Sequence, residues 1–99
     1  MSRARIEFAQ HELEEICRRR AVKRLALFGS VLRDDFGPDS DIDVLIEFRD
    51  DFEGHRISKI YDELEQLFTG RRVDLVDPKQ LSPRLTRYVL ENVEELYAA

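Results

Sequence analysis

Two aspartates spaced one residue apart, Asp41 and Asp43, open an apolar segment and are the residues of this sequence best suited to metal chemistry. In an extended segment alternate side chains share a face, so these carboxylates should converge. Neighbouring carboxylates repel unless cations neutralise them, and such oxygen ligands select Mg²⁺, Mn²⁺ or Ca²⁺. Asp74, within the short apolar segment 73–76, is a third candidate. These residues predict a site that binds divalent cations.

A glycine–serine pair, Gly29 and Ser30, directly follows the apolar segment 25–28. Glycine lets a backbone approach a phosphate closely, and a serine at a helix start presents a hydroxyl and free N–H groups to negative charge. With the aspartates, the pair predicts a cradle for a metal-bound triphosphate. Two metal ions there would polarise the α-phosphate, orient an attacking hydroxyl and stabilise departing pyrophosphate.

Hydrophobic periodicity predicts the elements that must position these residues. We expect helices over 5–20, 30–35, 55–69 and from Ser82 and Pro83 onwards, and strands over 25–28, 42–48 and 73–76. A helical stripe of Leu85, Tyr88, Val89, Val93 and Leu96 continues the last helix, although its final residues suit an extended segment equally. The predicted fold is α/β (α+β) in αβαβαβα order, with a small mixed sheet of about three strands flanked by helices.

Connection lengths predict how the strands pair. The 24 residues between Phe48 and Val73 contain a helix and suit a crossover connection, so the second and third strands should be parallel neighbours. Parallel pairing would set Asp43 level with Asp74. The shorter link between the first two strands suits antiparallel pairing, which would bring Gly29 beside the start of the second strand.

Composition limits the classes of function. The 99 residues, 42% of them hydrophobic, suit one domain spanning 1–99. A net charge of −5 disfavours generic binding to nucleic acids or anionic membranes. No apolar run approaches the roughly 18–20 residues of a membrane span, the N-terminus has no secretory signal pattern, and the one cysteine has no internal partner. We therefore expect a cytoplasmic protein.

The run Leu27-Phe28-Gly29-Ser30, followed after ten residues by Asp41-Ile42-Asp43, resembles the signature of the DNA polymerase β-like nucleotidyltransferase superfamily. The likeness is greatest to its minimal nucleotidyltransferase (MNT) family and extends over nearly the whole chain. The resemblance implies a polymerase β-like core, ATP as substrate and two Mg²⁺ ions. It also implies a set of functional positions, namely Gly29, Ser30, Asp41, Asp43 and Asp74, with Arg33 matching as well.

The same resemblance implies a partner, because this family is paired with HEPN-domain toxins as their antitoxins. Its active members transfer AMP from ATP to tyrosine on the toxin, which implies a hetero-oligomer with that partner. Two alternatives stay open: an antitoxin that neutralises its partner by covering it, and a regulatory module with a vestigial site. If a variant with Asp41→Asn and Asp43→Asn transfers no AMP but still neutralises the toxin, the first alternative holds. If the protein does not bind ATP and Mg²⁺, the second holds.

Several charged residues have both a functional and an ordinary interpretation. Arg33 could contact the triphosphate, although an arginine in a short exposed helix is more often a surface charge. Arg71 and Arg72 are interpreted first as solvated, and Asp74 could be an ordinary edge-strand charge.

Other site chemistries fit less well. His11 and His55 have no partners at zinc spacing and should lie on the surface, whereas Cys17 belongs to the apolar stripe of the first helix. An EF-hand starting at Asp39 would have Val44 where that loop requires glycine. Haloacid-dehalogenase phosphotransferases place their aspartate after a strand, whereas here the strand follows the aspartates.

Overall fold

The computed structural model describes residues 6–33, 36–37 and 39–99. The expected helix start at residue 5, the end of the short helix at 34–35 and the side chain of His55 lie outside the described residues. The elements are α1 (Gln10–Arg19), β1 (Val22–Phe28), β2 (Ile42–Phe48), α2 (Ile57–Leu67), β3 (Val73–Val76), α3 (Pro83–Glu91) and β4 (Val93–Ala98). No helix in these ranges has the length and apolar character needed to cross a bilayer.

The four strands form one mixed sheet in the order β3-β2-β1-β4. β2 and β3 are parallel, whereas β1 is antiparallel to both β2 and β4. The predicted α/β fold and both predicted strand pairings are therefore confirmed. The expected count of about three strands omits β4.

The C-terminal residues are extended, which settles the open alternative in favour of a strand. The serine cap of α3 is confirmed, because Ser82 Oγ accepts a hydrogen bond from the Leu85 N–H at 3.2 Å. α3 ends at Glu91, and Val93, the first residue of β4, pairs with Phe28, the last residue of β1. Pairing supplies partners for backbone groups of β1 that would otherwise be open, so the tertiary context overrides the helical stripe.

The sheet has a large core on one face and a small one on the other. Residues of α1, α2 and the sheet, among them Leu13, Cys17, Leu25, Leu27, Val44, Ile46 and Leu64, form the larger core. On the opposite face, Val89 of α3 packs with Ala26 and Leu45. Because side chains alternate along β2, Asp43 shares the α3 face with Leu45 and lies away from the main core.

Glu63 connects α2 to the end of α1. Its carboxylate accepts hydrogen bonds from Arg20, at 2.5 Å, and from Arg19. Burial raises the pKa of Glu63, but hydrogen bonds from Arg20 and Arg19 outweigh burial and hold it below the ordinary 4.5. A carboxylate with a lowered folded-state pKa stabilises the fold above its unfolded pKa and loses that contribution as the pH falls.

We expect Glu63→Gln to lower the free energy of unfolding by about 1–2 kcal/mol at pH 7, because it removes charge-assisted hydrogen bonds. The difference from wild type should be complete above pH 4.5 and shrink as the pH falls through the lowered folded-state pKa. Urea unfolding across this range measures it. In the control Glu14→Gln, which removes an exposed pair with Arg18, the loss should stay below about 0.5 kcal/mol. If both variants lost the same free energy of unfolding, the hydrogen bonds of Glu63 would not stabilise the fold as proposed.

Candidate active site

Backbone pairing places Asp43 at the centre of the predicted site. It pairs with Phe28, the last residue of β1, and with Asp74 on the parallel strand β3. The predicted level alignment of Asp43 with Asp74 is thus confirmed. Since paired residues on neighbouring strands project to the same face, both carboxylates lie on the α3 face of the sheet.

Gly29 turns the chain directly beside Asp43. Its φ is +78°, in the left-handed region that glycine adopts without steric cost. A Cβ at this position would lie 2.2 Å from Oδ2 of Asp43 and 3.2 Å from its Cγ. The Asp43 side chain is therefore directed at the glycine–serine bend, and there is no room for a side chain at position 29.

Ser30 lies in a shorter turn than expected. The predicted short helix over 30–35 is a 3₁₀ turn at Gly29–Leu32, closed by a hydrogen bond of 2.9 Å from the Arg33 N–H to the Ser30 carbonyl. Val31 is fully buried and anchors this turn in the main core. One turn has little macrodipole, so the bend offers peptide N–H groups and a hydroxyl rather than the end of a long helix.

The surroundings of Asp43 make its ionised form unfavourable. Burial raises the pKa of its carboxyl above the ordinary 3.8, and the carboxylates of Asp74 and Asp41 raise it further. Arg33 opposes them and lowers this pKa. The positive charge of Arg33 therefore acts on Asp43, although the side chain itself is exposed.

The three carboxylates suit a hard cation by their chemistry. Asp43 is half-buried, whereas Asp41 and Asp74 are exposed. Among the residues with described positions, no three His, Cys, Asp or Glu side chains are gathered closely enough to hold a metal ion as they stand. A divalent cation beside Asp43 would offset the repulsion from Asp74 and Asp41.

Arg71 was expected to be solvated, and this prediction is wrong. Its partly buried guanidinium donates to the carbonyl oxygens of Gly37 and Ser40, at 2.8 and 3.1 Å. The sequence carried no signal for these contacts, because the partners are 34 and 31 residues away. Arg72 is exposed, as expected.

The remaining reactive side chains lie away from this site or are inert. Cys17 is buried in the core as expected, and burial raises the pKa of its thiol to about 12, which makes it a poor nucleophile. His11 is exposed on α1, in agreement with the surface interpretation.

Hollows on the described surface do not identify the site by size. One of about 760 Å³ lies at the other end of the sheet between residues that include Lys23, Phe48 and Arg49. A groove of about 610 Å³ contains Asp41 beside Arg71. We place the site at the paired carboxylates, because chemistry rather than volume distinguishes these regions.

Comparisons with known proteins identify the family of this chain. The family model of the nucleotidyltransferase domain matches residues 11–96. A curated relative, the protein adenylyltransferase MntA of Thermococcus cleftensis, is 32% identical over 80 residues, which are 81% of this chain and 80% of the relative.

Solved structures share the fold. One described as a minimal nucleotidyltransferase is 34% identical, with a TM-score of 0.72 over 85% of this chain and 84% of that one. A toxin–antitoxin crystal structure with AMP-PNP has a TM-score of 0.69 over 91% of this chain and 73% of that one; its 22% identity shows the fold alone. The chain therefore belongs to the nucleotidyltransferase domain family and, within it, to the minimal nucleotidyltransferases.

Proposed function

We propose that this nucleotidyltransferase transfers AMP from ATP to a hydroxyl of a partner protein, a tyrosine of a HEPN-domain toxin, and so acts as an antitoxin. The observation that carries the proposal is the meeting of Asp43, Asp74 and the Gly29 bend at one end of the sheet. The curated relative is named a protein adenylyltransferase. One solved structure that shares the fold, at 22% identity, contains a tri-AMPylated Shewanella oneidensis HEPN toxin in complex with an MNT antitoxin.

Asp41 and Asp43 would together hold two Mg²⁺ ions, and Asp74 would complete the ligand set for one of them. When bound, the ions supply positive charge to the α-phosphate and to the departing pyrophosphate. Asp43, fixed by pairing on both sides, sets the position of the site. Asp74 is exposed on the edge strand β3, where a protein acceptor could reach it, and would favour loss of the acceptor's hydroxyl proton.

The bend binds the phosphates. Gly29 lets the backbone approach closely, and Ser30 contributes its hydroxyl and N–H. Arg33, whose charge already reaches Asp43, adds a guanidinium for phosphate oxygens. The acceptor oxygen then forms a bond to the α-phosphorus while the bond from this phosphorus to the bridging oxygen of the pyrophosphate breaks. A cytoplasmic setting supplies ATP and Mg²⁺ for this reaction.

The test is transfer of label from α-³²P-ATP, in the presence of Mg²⁺, to the partner protein, which is the HEPN-domain toxin encoded by the neighbouring gene. Wild type should label that protein, and the double variant Asp41→Asn with Asp43→Asn should not. Asp62→Asn, on the exposed face of α2, is the matched control for loss of an acidic side chain and should label normally. Normal labelling by the double variant would refute the proposed site.

A second candidate function is neutralisation by binding alone. The large hydrophobic side chains that the described structure exposes are all on α3: Leu85 at 52%, Tyr88 at 61% and Leu90 at 42%. This helix covers the same sheet face as the carboxylates, so a toxin contacting it would lie next to the site. If the double variant still binds and neutralises the toxin without transferring AMP, binding is sufficient.

A further inference from the structure

Arg71, which precedes β3, holds a distant loop at three points. Its Nη1 donates to the carbonyl oxygens of Gly37 at 2.8 Å and Ser40 at 3.1 Å. Its guanidinium carbon lies 4.3 Å from the centroid of the Phe36 ring. Charge-assisted hydrogen bonds and stacking on an aromatic face are interactions for which a planar guanidinium is suited. We call these contacts the Arg71 clamp.

The clamped loop also carries its own hydrogen bonds. The Ser40 N–H donates to the Gly37 carbonyl at 3.1 Å, and the Gly37 N–H donates to Ser40 Oγ at 3.1 Å. The Gly37 carbonyl thus accepts from both Ser40 and Arg71. One residue beyond Asp41, the Ile42 N–H donates to the Arg72 carbonyl at 2.9 Å. The chain is therefore tied to the approach to β3 on both sides of Asp41.

Asp41 depends on this loop more than the other carboxylates do. Asp43 and Asp74 lie in paired strands, where backbone hydrogen bonds fix them. Asp41 precedes β2, is exposed, and carries the same negative charge as Asp43 two residues further on. Repulsion alone would move Asp41 away from its partners, so its position relies on the residues that hold the preceding loop.

We propose that Arg71 is a positioning residue for nucleotidyl transfer, which holds Asp41 within reach of the cations that Asp43 and Asp74 bind. The inference rests on the proposed function for its use of metal ions. Arg71 does not contact the reacting atoms. It acts through the loop, joining the segment that delivers Asp41 to the strand that carries Asp74.

The test compares Arg71→Met with Arg71→Lys and Arg72→Met. Methionine keeps the apolar length but removes both hydrogen bonds and the planar face. Lysine restores the charge and a donor without that face, and so should recover part of the loss. Arg72→Met removes a neighbouring, exposed positive charge from the same groove. It therefore shows how much of any loss comes from the missing charge and how much from the missing contacts of the clamp.

Mn²⁺ binding to the isolated chain without ATP, measured by the electron paramagnetic resonance signal of free Mn²⁺, is the main readout. We expect Arg71→Met to weaken binding roughly 10–100-fold, as is typical when residues that orient metal ligands are lost. Arg72→Met should change it less than about twofold. Amide exchange of the Ser40 N–H, measured without metal, should speed up in Arg71→Met and stay unchanged in Arg72→Met.

A purely structural role would lower the melting temperature of Arg71→Met without changing the Mn²⁺ affinity of its folded fraction, and this result overturns the proposal. An equal loss of Mn²⁺ affinity in Arg72→Met also overturns the proposal.

If Arg71→Met does not fold, Phe36→Leu removes only the stacking face and should weaken Mn²⁺ binding several-fold. If wild type binds Mn²⁺ but transfers no AMP, the proposed function fails. The Mn²⁺ affinities of wild type and Arg71→Met then still test the role of the Arg71 clamp. If Arg71→Met binds and transfers normally, only the clamp fails.

Discussion

Gly29→Ala is expected to reduce AMP transfer by roughly 100-fold or more, because the added methyl group forces the bend and the Asp43 carboxylate apart. The added Cβ would lie 2.2 Å from Oδ2 of Asp43, far inside van der Waals contact. Either the carboxylate must rotate or the bend must shift, and each response separates the phosphate-binding backbone from the metal-binding side chain. Initial rates of labelled AMP transfer measure the loss.

The chain contains a matched control for the backbone strain in this variant. Gly70 has a φ of +84°, close to the +78° of Gly29, but a Cβ there meets no atom within 4 Å. Gly70→Ala should therefore lose only the roughly 1–2 kcal/mol of a left-handed alanine and retain transfer within a few-fold. If both alanine variants transfer AMP equally well, the close approach of Gly29 to Asp43 has no role in catalysis.

A double-mutant cycle isolates the clash itself. In an Asp43→Ala background the carboxylate is absent, so Gly29→Ala should destabilise the chain only as much as Gly70→Ala does in wild type. In the wild-type background the loss of unfolding free energy should be larger. Urea denaturation of the variants supplies the comparison, and equal losses in both backgrounds would show that Gly29 and Asp43 do not interact.

Asp43→Asn is expected to abolish transfer while making the metal-free protein more stable. Asparagine keeps the shape but removes the charge that would hold the cations, so we expect a loss of about 10³-fold or more in rate. Burial and repulsion from Asp74 raise the pKa of Asp43, which means that the ionised carboxylate destabilises the fold. Allowing for solvent screening, the variant should gain about 0.5–1 kcal/mol at pH 7 without metal.

The pH dependence of this gain follows from the direction of the pKa shift. Below the ordinary value of 3.8 the carboxyl is protonated in both states and the variant has no advantage. As the pH rises through that value the unfolded chain ionises first, so wild type loses stability until its raised folded pKa is passed. Asp62→Asn, on an exposed helix face, should show no such gain.

Added Mg²⁺ should reverse the order of stability, because a ligand that binds only the folded state stabilises it. Thermal melts of wild type should therefore rise with Mg²⁺, whereas those of Asp43→Asn should change little. A variant less stable than wild type in metal-free buffer at pH 7 would refute the electrostatic account of Asp43.

The sequence alone determined the elements that build the site and their order. Side-chain alternation predicted that Asp41 and Asp43 share a face, and the length of the crossover predicted the level alignment of Asp43 with Asp74. These features depend on local spacing, which the chain carries within each segment and its connections. The position of Gly29 after an apolar strand similarly predicted the bend.

Only the tertiary structure decided the features that depend on contacts between distant segments. Val93 and Leu96 fit a helix and a strand equally well, and the open edge of β1 selected the strand. The contact between Gly29 and Asp43 requires two strands to be packed, and the hydrogen bonds of Arg71 join residues more than 30 positions apart. An arginine's sequence neighbours do not reveal which distant carbonyl groups it will meet, because that geometry exists only once the sheet has formed.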